Sequence, residues 1–250
     1  MLQSTLRQEI LELRLNRPPV NALDPALVQA LHAAFLQAPA SGARAIVLCG
    51  SPGLFSAGLD VPALLARDAP GMRTFWKNFT ALLAAIGRCP LPCAAALTGH
   101  SPAGGTVLSL FCDYRVLAQG PFKMGLNEVQ VGLSVPAFIQ AALCRVVGAH
   151  RAERLVVSGT MLTSEEALGA GMVDVLCAPE DVCARAHAWC AQLLALPHEA
   201  MSETRRLARA DLHALLDAAE ADGGEEFLHR WFSRECQVAL HALVAKLKGK

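Results

Sequence analysis

The chain is poor in aromatic residues and in charge. Its 250 residues include one tyrosine and three tryptophans, and only 18% are Asp, Glu, Lys or Arg. Lys plus Arg and Asp plus Glu each number 22, so no net charge is present to gather nucleic acid. A base-stacking surface would also lack rings. Long apolar runs are missing as well. The richest stretch, 91–117, is broken by Pro92, Gly99, Pro102 and Asp113, which excludes a membrane-spanning helix there. The opening residues contain Glu9 and Glu12 and no basic-then-apolar order. Neither a secretory signal nor a transit peptide is expected, and a cytoplasmic protein is.

Several chemistry-bearing motifs are missing too: there is no G-x-G-x-x-G, no P-loop and no H-E-x-x-H. The nine cysteines form no C-x-x-C pair, and Cys89 and Cys93 are split by prolines without histidines to complete a zinc site. Cys49, Cys112 and Cys144 lie in apolar sequence and read as small core residues in a reducing compartment. No metal and no resident cofactor is expected. Two segments, 53–58 and 99–104, come close to the G-x-S-x-G of serine hydrolases, but each is one residue too long for a nucleophile elbow.

What is present is apolar, 53% of the chain, enough for a large core. Residues 10–15 alternate apolar and polar, as a half-buried strand does. Asp24-Pro25 is a helix start, with Leu27, Leu31, Ala34 and Phe35 following at helical spacing. Residues 45–49 form a continuous apolar run closed by Gly50, a strand covered on both faces. The cycle recurs with a helix over about 70–87, a strand at 92–97, a helix from Gly104 to Leu110 and a strand at 114–118. Helices at 136–147 and 151–157 and a late strand at 172–176 follow. Beyond Pro179 the pattern is helical, over 181–196, 198–218 and 222–247. The fold class is α/β, with a core over 1–195 and a helical region over 196–250.

Two small-residue turns, 53–60 and 99–105, directly follow buried strands, where open α/β sheets place ligands. Their free N–H groups can hold developing negative charge, although glycines also serve simply to turn the chain tightly. One acid stands near them in sequence. From Phe111 to Val146 the only charged residues are Asp113, Arg115, Lys123, Glu128 and Arg145. Glu128 sits among apolar neighbours, a setting that raises a carboxyl pKa and suits it to proton transfer. A loop glutamate without chemistry is the alternative. An oxyanion site beside a desolvated acid points to chemistry through an enolate.

The residues Leu13-Arg14-Leu15-Asn16-Arg17-Pro18, Asn21-Ala22-Leu23, Phe55-Ser56-Ala57-Gly58-Leu59-Asp60, Pro102-Ala103-Gly104-Gly105 and Cys112-Asp113-Tyr114-Arg115 resemble the crotonase (enoyl-CoA hydratase/isomerase) superfamily along nearly the whole chain. The resemblance implies a ββα spiral, C-terminal helices that pack a homotrimer or dimer of trimers, and an acyl-CoA thioester substrate that brings its own coenzyme A. It implies an oxyanion hole from the N–H groups of Leu59 and Gly104, and Glu128 as the catalytic acid. Ser56, Ala57, Asp60, Val61, Ala103 and Asn127 would then contact the substrate, with 57–61 along the adenine and pantetheine path. The hydratases of the family carry two glutamates, and the first falls here at Val107. A single acid in Gly125-Leu126-Asn127-Glu128 is similar to the mitochondrial-type 3,2-enoyl-CoA isomerases, here expected as a bacterial counterpart. Another acyl-CoA reaction on the same fold, hydration or thioester hydrolysis, and a non-catalytic CoA-binding role are the alternatives.

Overall fold

The computed structural model describes residues 1–248. It opens with an antiparallel hairpin, β1 (Leu2–Arg7) and β2 (Ile10–Leu15). Gln8 and Glu9 close it with φ of 49° and 63°, the geometry that fits a two-residue turn to strand twist. β1 is largely exposed and lacks an apolar alternation, so the pattern reveals only β2. Helix α1 (Pro25–Gln37) begins as its signature predicts: the Asp24 carboxylate accepts the Leu27 N–H at 2.8 Å.

Three strand pairs follow. β3 (Ala45–Cys49) and β4 (Gly53–Leu54) lead into helices α2 (Val61–Leu65) and α3 (Ala69–Arg88). β5 (Cys93–Leu97) and β6 (Gly99–Pro102) lead into α4 (Gly104–Leu110). β7 (Tyr114–Ala118) and β8 (Lys123–Gly125) lead into a short 3-10 turn, Glu128–Val131, and helix α5 (Ala137–Val147). Next come α6 (Ala149–Ser158), β9 (Leu162–Thr163), α7 (Ser164–Ala170), β10 (Val175–Cys177) and α8 (Val182–Leu194). In each pair the first strand joins a six-stranded sheet, β1-β2-β3-β5-β7-β10, and the second joins a four-stranded sheet, β4-β6-β8-β9. This is a ββα spiral. The late strand starts at Val175 rather than 172, because Asp174 is spent on a turn: its N–H donates to Arg115 O and its carboxylate accepts the Arg115 N–H.

The large sheet separates two cores. Leu11, Leu13, Leu15, Ile46, Leu48, Ala95 and Leu97 face the main core with α1 and α3. The alternate residues Ile10, Ala45, Val47, Cys49, Ala94 and Ala96 face a thinner core closed by Val182, Ala186 and Cys190 of α8. Both faces being covered accounts for the unbroken apolar runs at 45–49 and 93–97.

The C-terminal helices are α9 (His198–Ala208), α10 (Ala210–Asp222), α11 (Glu225–Trp231) and α12 (Arg234–Lys248). The two long helices expected over 198–218 and 222–247 are each divided. The first breaks at Arg209, which is 6% exposed and turns inward to bond Asp113 and the carbonyls of Gly87 and Phe111. Arg205 joins it on Asp113 with two bonds of 2.9 Å. Trp76 of α3 stacks on Phe227 at 3.6 Å between ring centres. Trp76, Phe79 and Trp231 are core residues, and Phe232 is exposed. No helix among the described residues is long and apolar enough to cross a membrane.

Candidate active site

The first turn is organised by a residue upstream of it. Asn21 is 2% exposed with φ 49°, and its side chain donates to Phe55 O at 3.1 Å and Ser51 Oγ at 3.2 Å while accepting the Arg17 N–H at 2.8 Å. The Ser56 hydroxyl donates to Asn21 O at 2.7 Å and accepts the Gly58 N–H at 3.1 Å. Leu23 runs alongside, its N–H on Gly58 O at 2.8 Å and its carbonyl accepting Asp60 N–H at 3.2 Å. Both Leu59 neighbours are thereby tied into the strand-like bridge, and the Leu59 N–H takes no part in these bonds. Asp60 caps α2 through the Ala63 N–H at 3.1 Å. Arg17 spans Asp60, at 2.7 Å, and Asp24, at 3.0 Å, so one guanidinium fixes the caps of α1 and α2 together.

The second turn ends at Ala103, whose φ of 45° and ψ of −117° are unusual for a residue with a Cβ. That twist delivers Gly104 as the first residue of α4, where N–H groups have no partner within the helix. The two turns lie against each other. A Cβ on Gly104 would stand 3.3 Å from Leu59 N, and one on Gly58 would stand 3.1 Å from Gly104 N. Glycine at 58 and 104 is what lets the two N–H groups approach, as an oxyanion hole requires.

The second turn is also locked to β8. The Ala103 N–H donates to Gly125 O at 2.8 Å, and the Gly125 N–H donates to Thr106 Oγ1 at 2.9 Å. Thr106 in turn donates to Ser101 O. Three residues beyond Gly125 is Glu128. Its Oε2 is buried and has no hydrogen-bond partner. Burial pushes its carboxyl up to about 7, against a smaller opposing effect of its own backbone N–H. The turn that carries it ends at Gly132, with φ 73°, and a Cβ there would stand 3.0 Å from Cys236 Cα of α12. The acid's turn is therefore seated directly on α12. Val107, one turn into α4, is 2% exposed and contributes no polar atom.

The expected contact residues divide. Leu59, Gly104 and Ala103 converge at the paired turns, and Ala57 and Val61 flank them half-buried. Ser56 is fully buried with its hydroxyl engaged inside the loop, and the Asp60 carboxylate is engaged by Arg17 and the α2 cap. Both brace the turn. Asn127 is half-buried and makes no capping bond to the turn after it, which leaves its amide beside the acid without a capping task. His100 is exposed, with Nδ1 accepting the Lys123 N–H at 3.2 Å, as a turn residue would. Sequence patterns did not single out Asn21 as a strut or Thr106 as a brace, because both act through bonds between segments distant in sequence.

The site and fold match known proteins. The profile of the enoyl-CoA hydratase/isomerase family fits residues 5–249. The chain is similar to the mitochondrial enoyl-CoA delta isomerase 1 of Mus musculus, 31% identical over 242 residues, or 95% of this chain and 83% of that one. It is similar to the probable enoyl-CoA hydratase EchA17 of Mycobacterium tuberculosis (strain ATCC 25177 / H37Ra), 34% identical over 197 residues, or 77% and 74% of the two chains. The crystal structure of human mitochondrial delta3-delta2-enoyl-CoA isomerase superposes with a TM-score of 0.94 at 28% identity, covering 99% of this chain and 98% of that one.

Proposed function

Since this chain belongs to the enoyl-CoA hydratase/isomerase family, we propose that it is a 3,2-enoyl-CoA isomerase, moving a 3-enoyl double bond to the 2-trans position in the β-oxidation of unsaturated fatty acids. The observation that carries this reading is a solitary carboxyl, Glu128, with one oxygen buried and unpartnered and a pKa raised to about 7. In this reaction the thioester oxygen rests on the N–H groups of Leu59 and Gly104. Glu128 removes a proton from C2, and the negative charge spreads into a dienolate whose oxygen the two N–H groups stabilise. The carboxyl then delivers the proton to C4, and the conjugated 2-enoyl thioester leaves. One acid suffices because the proton taken is the proton returned.

Hydration is the reading that the EchA17 relatives favour. It requires a second group to position and deprotonate water. Val107 occupies the place of that group with an aliphatic side chain 2% exposed, so the water-handling half of the pair is missing. Ala57, Val61, Ala103 and Asn127 line the substrate path in this proposal, and the C-terminal helices pack a homotrimer, or a dimer of trimers, in the cytoplasm. Coenzyme A arrives as part of the substrate.

The test is direct. A 3-enoyl-CoA mixed with the protein should develop the ultraviolet band of a conjugated enone thioester, and Glu128→Gln should abolish it. Full turnover by Glu128→Gln, or faster hydration of a 2-enoyl-CoA than isomerisation of its 3-enoyl isomer, would overturn the reading.

A further inference from the structure

A second cluster of reactive groups lies on the opposite face of the large sheet, independent of the site above. Cys49, at the end of β3, points away from the main core and towards α8. Cys183, in the first turn of α8, meets it there. The two sulfurs and a carboxylate oxygen of Glu12 all lie within 4.8 Å of one another. Arg14 reaches in from β2, with Nη2 3.5 Å from Cys183 Sγ and 2.8 Å from Glu12, and Nη1 2.9 Å from Gly50 O. His187 Nε2 stands 3.1 Å from the other Glu12 oxygen. Cys183, Glu12, Arg14 and His187 line an open cleft of about 1010 Å³, whereas Cys49 is fully buried behind them.

We propose that Cys49 and Cys183 form a peroxide-responsive dithiol, with Cys183 the attacking thiolate and Cys49 the resolving thiol. Carboxylate and thiols alone would suit a soft cation, but the Arg14 guanidinium in their midst repels one. It favours an anion on sulfur instead. The two thiols are unequal. The adjacent Cys49 thiol, followed by the charge of Arg14, draws Cys183 down to about 7 against its partial burial. The same proximity, with burial, pushes Cys49 up and keeps it protonated. Glu12 opposes the thiolate; burial raises its own carboxyl, but the hydrogen bonds and charges of Arg14 and His187 together lower it. A thiol that ionises near ambient pH combines thiolate population with nucleophilicity.

The Cys183 thiolate attacks a hydroperoxide, an S–O bond forms, the O–O bond breaks, and the departing oxygen takes a proton from water. Cys49 sulfur then attacks Cys183 sulfur. The S–S bond forms, the S–O bond breaks, and hydroxide leaves with the Cys49 proton as water. Cys93 and Cys112 are also neighbours, with sulfurs 3.6 Å apart, yet both are buried and burial joins their mutual bond in pushing the Cys93 thiol up. The charge of Asp113 beside Cys93 disfavours a thiolate there further.

The experiment is peroxide titration of the folded protein, followed by intact-mass analysis and peptide mapping without reductant. The wild type should lose two hydrogens and yield a Cys49–Cys183 cross-link that dithiothreitol reverses. Cys49→Ser should stop at a Cys183 sulfenic acid, with dimedone labelling roughly tenfold above that at the half-buried Cys144 or Cys177. Cys183→Ser should leave Cys49 reduced at the same dose. A wild type that keeps both thiols, a first oxidation at another cysteine, or equal oxidation of Cys49 in Cys183→Ser would each overturn the proposal.

Discussion

Thr106 and Gly125 are joined by a hydrogen bond of 2.9 Å from the Gly125 N–H to the threonine hydroxyl, which itself donates to Ser101 O. One buried hydroxyl thus couples the second of the paired turns to the strand that ends three residues before the acid. Thr106→Val leaves a buried donor and a buried acceptor without a partner, and stability should fall by about 1–3 kcal/mol. kcat should fall while KM changes little, because the turn and the acid lose their relative placement. Thr106→Ser, which keeps the hydroxyl, should restore both. Chemical denaturation and steady-state kinetics read the two effects separately.

The titration of Glu128 predicts the pH profile. In the proposed reaction Glu128 must begin as the carboxylate, so kcat/KM should rise with pH and reach half its plateau near the group's value of about 7. A profile flat from pH 5 to 9 would remove Glu128 from the role.

The same shift makes a stability prediction of definite sign. The folded carboxyl holds its proton up to about 7, whereas the unfolded one releases it near 4.5. The folded state therefore binds more protons between those values, and stability declines as pH rises through that window. Glu128→Gln removes the penalty. At pH 8 it should be more stable than the wild type by up to about 3 kcal/mol, with the gap closing below pH 4.5. Melting temperatures of the two proteins across pH measure this.

Gly104→Ala tests the oxyanion pair. The added methyl would stand 3.1 Å from Leu23 Cδ1 and 3.3 Å from Leu59 N, crowding the space where the two N–H groups meet. Activity should drop about 10²–10³-fold, the usual effect of losing one oxyanion donor. Circular dichroism should show the fold retained, since alanine suits the first turn of a helix.

Asp113→Ala tests how the C-terminal helices are held. Asp113 takes bonds from Arg205, Arg209 and the Cys93 N–H, the last at 2.8 Å. Its loss strands the buried Arg209, and removing one partner of a buried pair costs about 3–5 kcal/mol. Limited proteolysis should cut first within 198–248.

The strands, the helices and the acid were legible because each leaves a local trace. Two-sided burial writes unbroken apolar runs at 45–49 and 93–97, a capping Asp-Pro announces α1, and scarcity of charge isolates Glu128. What stayed hidden depends on partners far away in sequence. β1 is an exposed edge strand without a pattern. Arg209 reads as one more charge on a helix until Asp113 appears beside it. Ser56 and Asp60 look like ligand contacts in the motif, yet Asn21 and Arg17 claim them. Leu23, Gly58 and Gly104 meet only because three loops cross, and no periodicity records a crossing.

The seat of Glu128 on α12 has a consequence for biosynthesis. A nascent chain leaves the ribosome from its N-terminus, so the acid emerges well before Cys236, against which its turn packs through Gly132. Until α12 is made, the contact that seats the turn through Gly132 is absent. The seat of the acid's turn is thus finished by a helix far along the chain, and not by the segment that carries the acid.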